Sequence, residues 1–188
     1  DKAELEKIAL EDPDPEIRKA AFSRISDNDE ILEKIAQSES DRSLRHAAIE
    51  KISDEKVLAR LMDSTKEKTV KQIAVSRIRN HELLAQIALN DPSPDVRQLA
   101  IMELQDQDLL CNIVKSESKR ELRLLALSRI SSLKQLTRLL CECPHDDVVD
   151  KLLQRLPCEE LAKCLQNNTL PPNVSEKLKA RLEPSPKE

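Results

Sequence analysis

A single register repeated every 26 residues constrains this chain more than anything else in it. Ile25, Ile52, Ile78, Leu104, Ile130 and Leu156 are separated by 27, 26, 26, 26 and 26 positions. Ala21, Ala48, Ala74, Ala100, Ala126 and Leu152 keep the same intervals, as do Arg18, Arg45, Lys71, Arg97, Arg123 and Val149. A further apolar column runs Ile8, Ile35, Leu61, Ile87, Ile113, Leu139 and Leu165. Columns held in one register over six units mean that each unit is one small structural element. Such an element buries its apolar face against its neighbours.

The kind of element follows from composition. The chain of 188 residues has no Gly, Trp or Tyr and a single Phe, Phe22. Without Gly there is no Walker-type phosphate loop and no dinucleotide fingerprint, because both need the backbone to approach a phosphate closely. Tight Gly-dependent hairpins are excluded too. Ala, Leu, Lys, Glu and Arg dominate, and these are the strongest helix formers. The expectation is an all-α protein. The net charge of −4 is not that of a dedicated nucleic-acid binder, which is usually strongly basic. No apolar run approaches the roughly 20 residues of a membrane span. Five Cys without a C-x-x-C pair read as reduced thiols, which points to a cytoplasmic protein.

Each unit divides into two short helices, typified by 82–89 and 94–104. Asp27, Asp54, Asn80 and Asp106 recur just before the first helix, where a short side-chain acceptor caps free N–H groups. Asp14-Pro15 and Ser93-Pro94 put a cap residue before Pro at the first helical position. Plotted at about 100° per residue, Ile17, Ala20, Ala21, Phe22 and Ile25 fill a wide arc of the second helix. That predicts a helix covered on both flanks, with only two columns turned outward. One is Lys19, His46, Gln72, Gln98, Leu124 and Asp150; the other is Ser23, Glu50, Ser76, Met102, Ser128 and Gln154.

An acid in the inter-helix turn is followed six residues later by a base: Asp12 with Arg18, Glu39 with Arg45, Asp91 with Arg97, and Glu117 with Arg123. The clearest copies are Asp91 to Ala100 (D-P-S-P-D-V-R-x-x-A) and Asp12 to Ala21 (D-P-D-P-E-I-R-x-x-A). In these features the unit resembles a short HEAT-type repeat, over about residues 5–156; a leucine-rich repeat variant is the second choice. The resemblance implies a right-handed α-solenoid of about six helix pairs, with acid–base pairs knitting units together and second helices lining a concave face. Thr65 with Lys71, and Cys143 with Val149, replace the acid and the standard base together, which suggests that the two positions interact. The expected organisation is repeats over 1–156, a degenerate capping repeat over 157–182 and a disordered tail over 183–188.

A second basic column, Arg24, Lys51, Arg77, Arg129, Arg155 and Arg181, is interrupted only by Glu103. It falls in the last turn of each second helix, where cations complement the helix dipole. Stacked helices stand about 8–10 Å apart, so such a column could also track a phosphate backbone. Single-strand binders, however, offer aromatic platforms, which one Phe cannot supply. HEAT-like DNA glycosylases exist, but no aromatic cluster or poised acid supports that chemistry here. Cys141, Cys143 and His145 form C-x-C-x-H with metal-ligand residue types but without standard finger spacing, so no metal and no cofactor is expected. The three His lie in different units, and no catalytic arrangement emerges. The expected function is a monomeric, non-catalytic scaffold or adaptor. It would bind a protein or peptide through Lys19, His46, Gln72, Gln98, Met102 and Leu124, with nucleic acid along the basic column as the alternative partner.

Overall fold

The computed structural model describes residues 2–25, 28–38, 41–166 and 170–182. Among them the chain is all-α, with fourteen helices. They are α1 (Lys2–Glu11), α2 (Pro15–Ser23), α3 (Asp29–Ser38), α4 (Arg42–Lys51), α5 (Glu55–Ser64), α6 (Lys68–Arg77) and α7 (His81–Asn90). There follow α8 (Pro94–Glu103), α9 (Gln107–Ser116), α10 (Arg120–Arg129), α11 (Leu133–Glu142), α12 (Asp146–Arg155), α13 (Cys158–Gln166) and α14 (Pro172–Leu182). From α4 to α12 every helix has ten residues and every connector three, which is how two helices fill a 26-residue period.

Helices this short are unstable alone in water. Their ends are fixed by side-chain caps and their sides by neighbours. Asp54, Asn80 and Asp106 accept N–H bonds at the starts of α5, α7 and α9, and Asp14 and Asp41 do so for α2 and α4. Asp27 lies outside the described residues. Ser93 stands before Pro94 without a side-chain cap bond. Each odd helix packs on the even helix that follows it. Odd helices also pack in the orders α1–α3–α5 and α7–α9–α11–α13, and even helices in the order α4–α6–α8–α10–α12. The Ala column is buried throughout, so backbones approach closely, while Ile52, Ile78, Leu104 and Ile130 are fully buried in the connectors.

The wide-arc expectation for the second helix holds in the interior pairs and fails in the first. Ile17 is 47% exposed, whereas Leu44, Val70, Val96, Leu122 and Val148 in its column are at most 4% exposed. Ala20 is exposed as well. The column of Met102 is exposed in every unit, but in the column of Lys19 only Gln98 and Asp150 are exposed; Lys19, His46, Gln72 and Leu124 are half-buried.

The acid–base ladder is wired forward rather than within each unit, which corrects the pairings Asp91 with Arg97 and Glu117 with Arg123. Arg97 meets its own turn at a main-chain carbonyl, Nη1 to Asp91 O at 2.9 Å. Its carboxylate partner is Glu117 of the next unit, with Nε to Oε2 at 2.9 Å and Nη2 to Oε1 at 3.1 Å. Lys71 reaches Asp91 in the same way at 2.8 Å. Arg123 binds Glu117 O at 3.1 Å and turns to Asp147, both of whose carboxylate oxygens lie 3.1 Å from Nη2. Where Thr65 replaces the turn acid, Arg45 meets Glu67 at 3.1 Å. Arg18 donates to the Asp12 carbonyl at 2.8 Å. Glu39 lies outside the described residues. The turn acids fold back locally: Asp12, Asp91 and Glu117 accept the N–H of the residue two positions on.

The joint replacement at Thr65 and Lys71 therefore has a different cause from the one inferred. Lys71 keeps its charge because the next turn carries Asp91. A further ladder runs from the first residue of α3, α5 and α9 and is broken at α7, where His81 Nδ1 is buried without a hydrogen-bond partner. Asp29 accepts the N–H groups of Ser53 and Asp54, Glu55 those of Arg79 and Asn80, and Gln107 those of Ser131 and Ser132. The next member is Leu133, and the position facing it is Pro157, which has no N–H to offer.

Candidate functional site

The basic column is a structural feature before it is anything else. Lys51 Nζ donates to Ile25 O at 3.0 Å and Phe22 O at 3.3 Å, and stands 4.4 Å from the Phe22 ring centre. Arg77 donates to Ile52 O at 3.3 Å and Arg129 to Leu104 O at 3.5 Å. Arg155 donates to Leu127 O at 2.7 Å and also to Ile130 O. Each of these bases thus caps the C-terminal carbonyls of the preceding even helix, which would otherwise be unsatisfied. The side chains of Arg24 and Arg181 make no hydrogen bond or ion pair among the described residues.

Glu103, the exception in the column, is explained by Arg79. Arg79 lies in the connector after α6, and its Nη1 donates to Ser76 O at 2.9 Å and Ile78 O at 3.3 Å. Ile78 O is the helix-end carbonyl that a base at position 103 would serve, as Arg77 serves Ile52 O and Arg129 serves Leu104 O. The same nitrogen is 3.2 Å from Glu103 Oε2. The base has moved from one unit to the one before, and an acid now holds it. Sequence reading missed Arg79; the signal was an acid at 103 facing a base in the preceding connector.

On the exposed face of the even helices, Leu124, Leu127 and Ser128 of α10 and Lys151, Gln154 and Arg155 of α12 line a groove of about 520 Å³. Its floor is leucine and its rim is basic. Among the described residues Lys151 Nζ hydrogen-bonds only to Gln154 Oε1, at 3.4 Å, and leaves its charge available. A second groove of about 730 Å³ lies between α4 and α6 at equivalent columns, lined by Glu50, Ile73, Ser76, Arg77 and Arg79. Between the two, α8 presents Met102, 46% exposed. The structure thus brings Met102 and Leu124 onto one face with Gln72 and Gln98. His46 and Lys19 lie on earlier even helices, and Lys19 is held by Asp41 at 2.9 Å and Glu16 at 3.2 Å. The His46 Nε2 is buried without a hydrogen-bond partner.

A different cleft, about 360 Å³, opens between α5 and α7 in the odd row. It is lined by Ala59, Met62, Leu83 and Ile87, with the Lys71–Asp91 pair at its back. Of its titratable groups, Lys71 and Asp91 are already joined to each other, and Asp63 also lines it.

Cys141, Cys143 and His145 are engaged separately. His145 Nε2 is 3.0 Å from Lys115 O, and Cys141 Sγ is 3.5 Å from Thr137 O. Burial pushes the Cys143 thiol up, as it does Cys164, and it takes Cys111 to about 11. These are inert thiols rather than activated ones. Among the described residues no cluster of three or more His, Cys, Asp or Glu is placed to hold a metal ion. No helix among them is long and apolar enough to cross a membrane. In comparisons with known proteins, no family model matches the chain and no curated protein matches it significantly.

Proposed function

We propose that this chain is a non-catalytic adaptor: a right-handed, HEAT-like α-solenoid capped by its last helix pair, binding a peptide segment of a protein partner on the even-helix face. The observation that carries this reading is the α10–α12 groove, with Leu124 and Leu127 as floor and, on its rim, Lys151, whose charge no ion pair takes up among the described residues. A groove of this kind accepts an apolar side chain and favours a carboxylate beside it, as in helix-in-groove recognition. The partner is therefore an acidic, amphipathic segment, and exposed Met102 extends the contact toward α8. The free state of all five cysteines supports a reducing, cytoplasmic setting.

Selection of random peptides of about 12 residues on the immobilised chain tests the reading. Enrichment of sequences combining Leu, Ile or Phe with Asp or Glu is expected, and M102E/L124E should abolish it with the helical circular dichroism spectrum retained. Enrichment that survives the double substitution places the site elsewhere.

The alternative, a phosphate backbone along Arg24, Lys51, Arg77, Arg129, Arg155 and Arg181, draws less support, because Lys51, Arg77, Arg129 and Arg155 already serve helix-end carbonyls. Titrating labelled duplex DNA and single-stranded RNA at low salt should give no saturable binding. Tight binding that weakens steeply with added salt would favour the alternative.

A further inference from the structure

The first helix pair carries a face that every later pair has covered. Ile17 is 47% exposed on α2, yet its column is buried from Leu44 to Val148. The column faces backward along the chain. Val174 shows this, since it is 1% exposed in the last described pair, where no described helix follows. Leu5 tells the same story: it is half-buried, whereas Leu32, Leu58, Leu84 and Leu110 in its column are at most 1% exposed.

Two charged groups on this face are incomplete in the same direction. Lys51, Arg77, Arg129 and Arg155 each donate to carbonyls of the preceding even helix. The Arg24 guanidinium, in their column, makes no hydrogen bond or ion pair among the described residues. Asp91 and Glu117 each take a base from the preceding unit. Asp12, in their column, accepts among the described residues only the Asp14 N–H, at 2.9 Å, on its carboxylate.

We infer that the face formed by Leu5, Asp12, Ile17 and Arg24 is a docking surface for one further helix pair of the same 26-residue kind. That pair carries a Lys or Arg in the column of Arg18. Its apolar side covers Leu5 and Ile17, its base meets Asp12, and its last carbonyls receive Arg24. The internal junctions show each of these three contacts. A second copy of the chain fits less well, because its last pair has Ser175 in the Arg18 column and brings no base to Asp12. This surface is distinct from the peptide groove and stands or falls independently of it.

The test places a copy of residues 107–131, which holds α9, α10 and Arg123, directly ahead of the full chain. The extended chain should melt at least about 4 °C higher. Amide exchange in α1 and α2 should slow by about tenfold or more. Ile17→Glu, or Arg123→Ala within the added copy, should remove most of both gains. In the unextended chain Ile17→Glu should move the melting temperature by no more than about 1 °C. Exchange in α1 and α2 that is unchanged on extension overturns the inference, as does a gain that Ile17→Glu leaves intact. It is also overturned if light scattering shows the unextended chain to be a dimer that Ile17→Glu dissociates, for then a second copy is the occupant.

Discussion

Replacing Arg97 by Met is expected to lower the unfolding free energy by about 3–5 kcal/mol, a large share of the stability of an ordinary domain. The side chains of Arg97 and Glu117 are only 11% and 3% exposed, so the substitution leaves a carboxylate buried without its cation. The loss comes from that stranded charge more than from the pair itself. R97M/E117L, which removes both charges, should therefore recover most of it, and urea unfolding of the two variants decides the matter. Burial alone would push the Glu117 carboxyl up. The Arg97 hydrogen bonds, the Lys119 N–H, the Arg97 charge and the Ser118 hydroxyl together outweigh it and hold the group below its ordinary value of 4.5. A carboxyl depressed by folding contributes stability that is complete above its unfolded value and is lost as pH falls through the lower folded one. Wild-type stability should thus fall as pH drops below the ordinary carboxylate range, and R97M/E117L should flatten that fall.

The second large effect belongs to the apolar columns. Ile101 is fully buried on α8, and α8 packs on both α6 and α10. Ile101→Ala should cost about 2–5 kcal/mol, since it leaves a cavity that two flanking helices cannot both collapse into. Its neighbour Met102 is 46% exposed, and Met102→Ala should stay within about 0.5 kcal/mol. Equal losses at the two positions in chemical denaturation would mean that the even-helix face is covered rather than open. The contrast matters for function, because it separates residues that hold α8 in place from those it presents outward.

Much of this was legible in the residues. The period, the helix pairs, the Asp54, Asn80 and Asp106 caps and the exposure of the Met102 column follow from side-chain chemistry repeated in register. The wiring of the ladder did not follow. In a periodic chain the base at Arg97 stands in the same column relation to Asp91 behind it as to Glu117 ahead of it, so columns cannot distinguish the two. Geometry decides: the short reach back ends at the Asp91 carbonyl, and the extended guanidinium lies across the junction on Glu117. The retained charge of Lys71 beside Thr65 was the available clue. In the sequence the basic column falls at the end of its own helix, whereas Arg155 spans to Leu127 O on the helix before. The groove at Leu124 needed the structure too, since a half-buried Leu becomes a floor only when α12 supplies Lys151 and Arg155 as its rim.

Localising a bound peptide tests the account most directly. Methyl-labelled chain titrated with an acidic, Leu-rich peptide of about 12 residues should show shifts concentrated at Leu124, Leu127 and Met102, with the buried Ile113 and Leu139 of the odd row unmoved. Shifts centred instead on Met62, Leu83 and Ile87 around the α5–α7 cleft, or none at millimolar peptide, would contradict the assignment of the even-helix face as the binding surface.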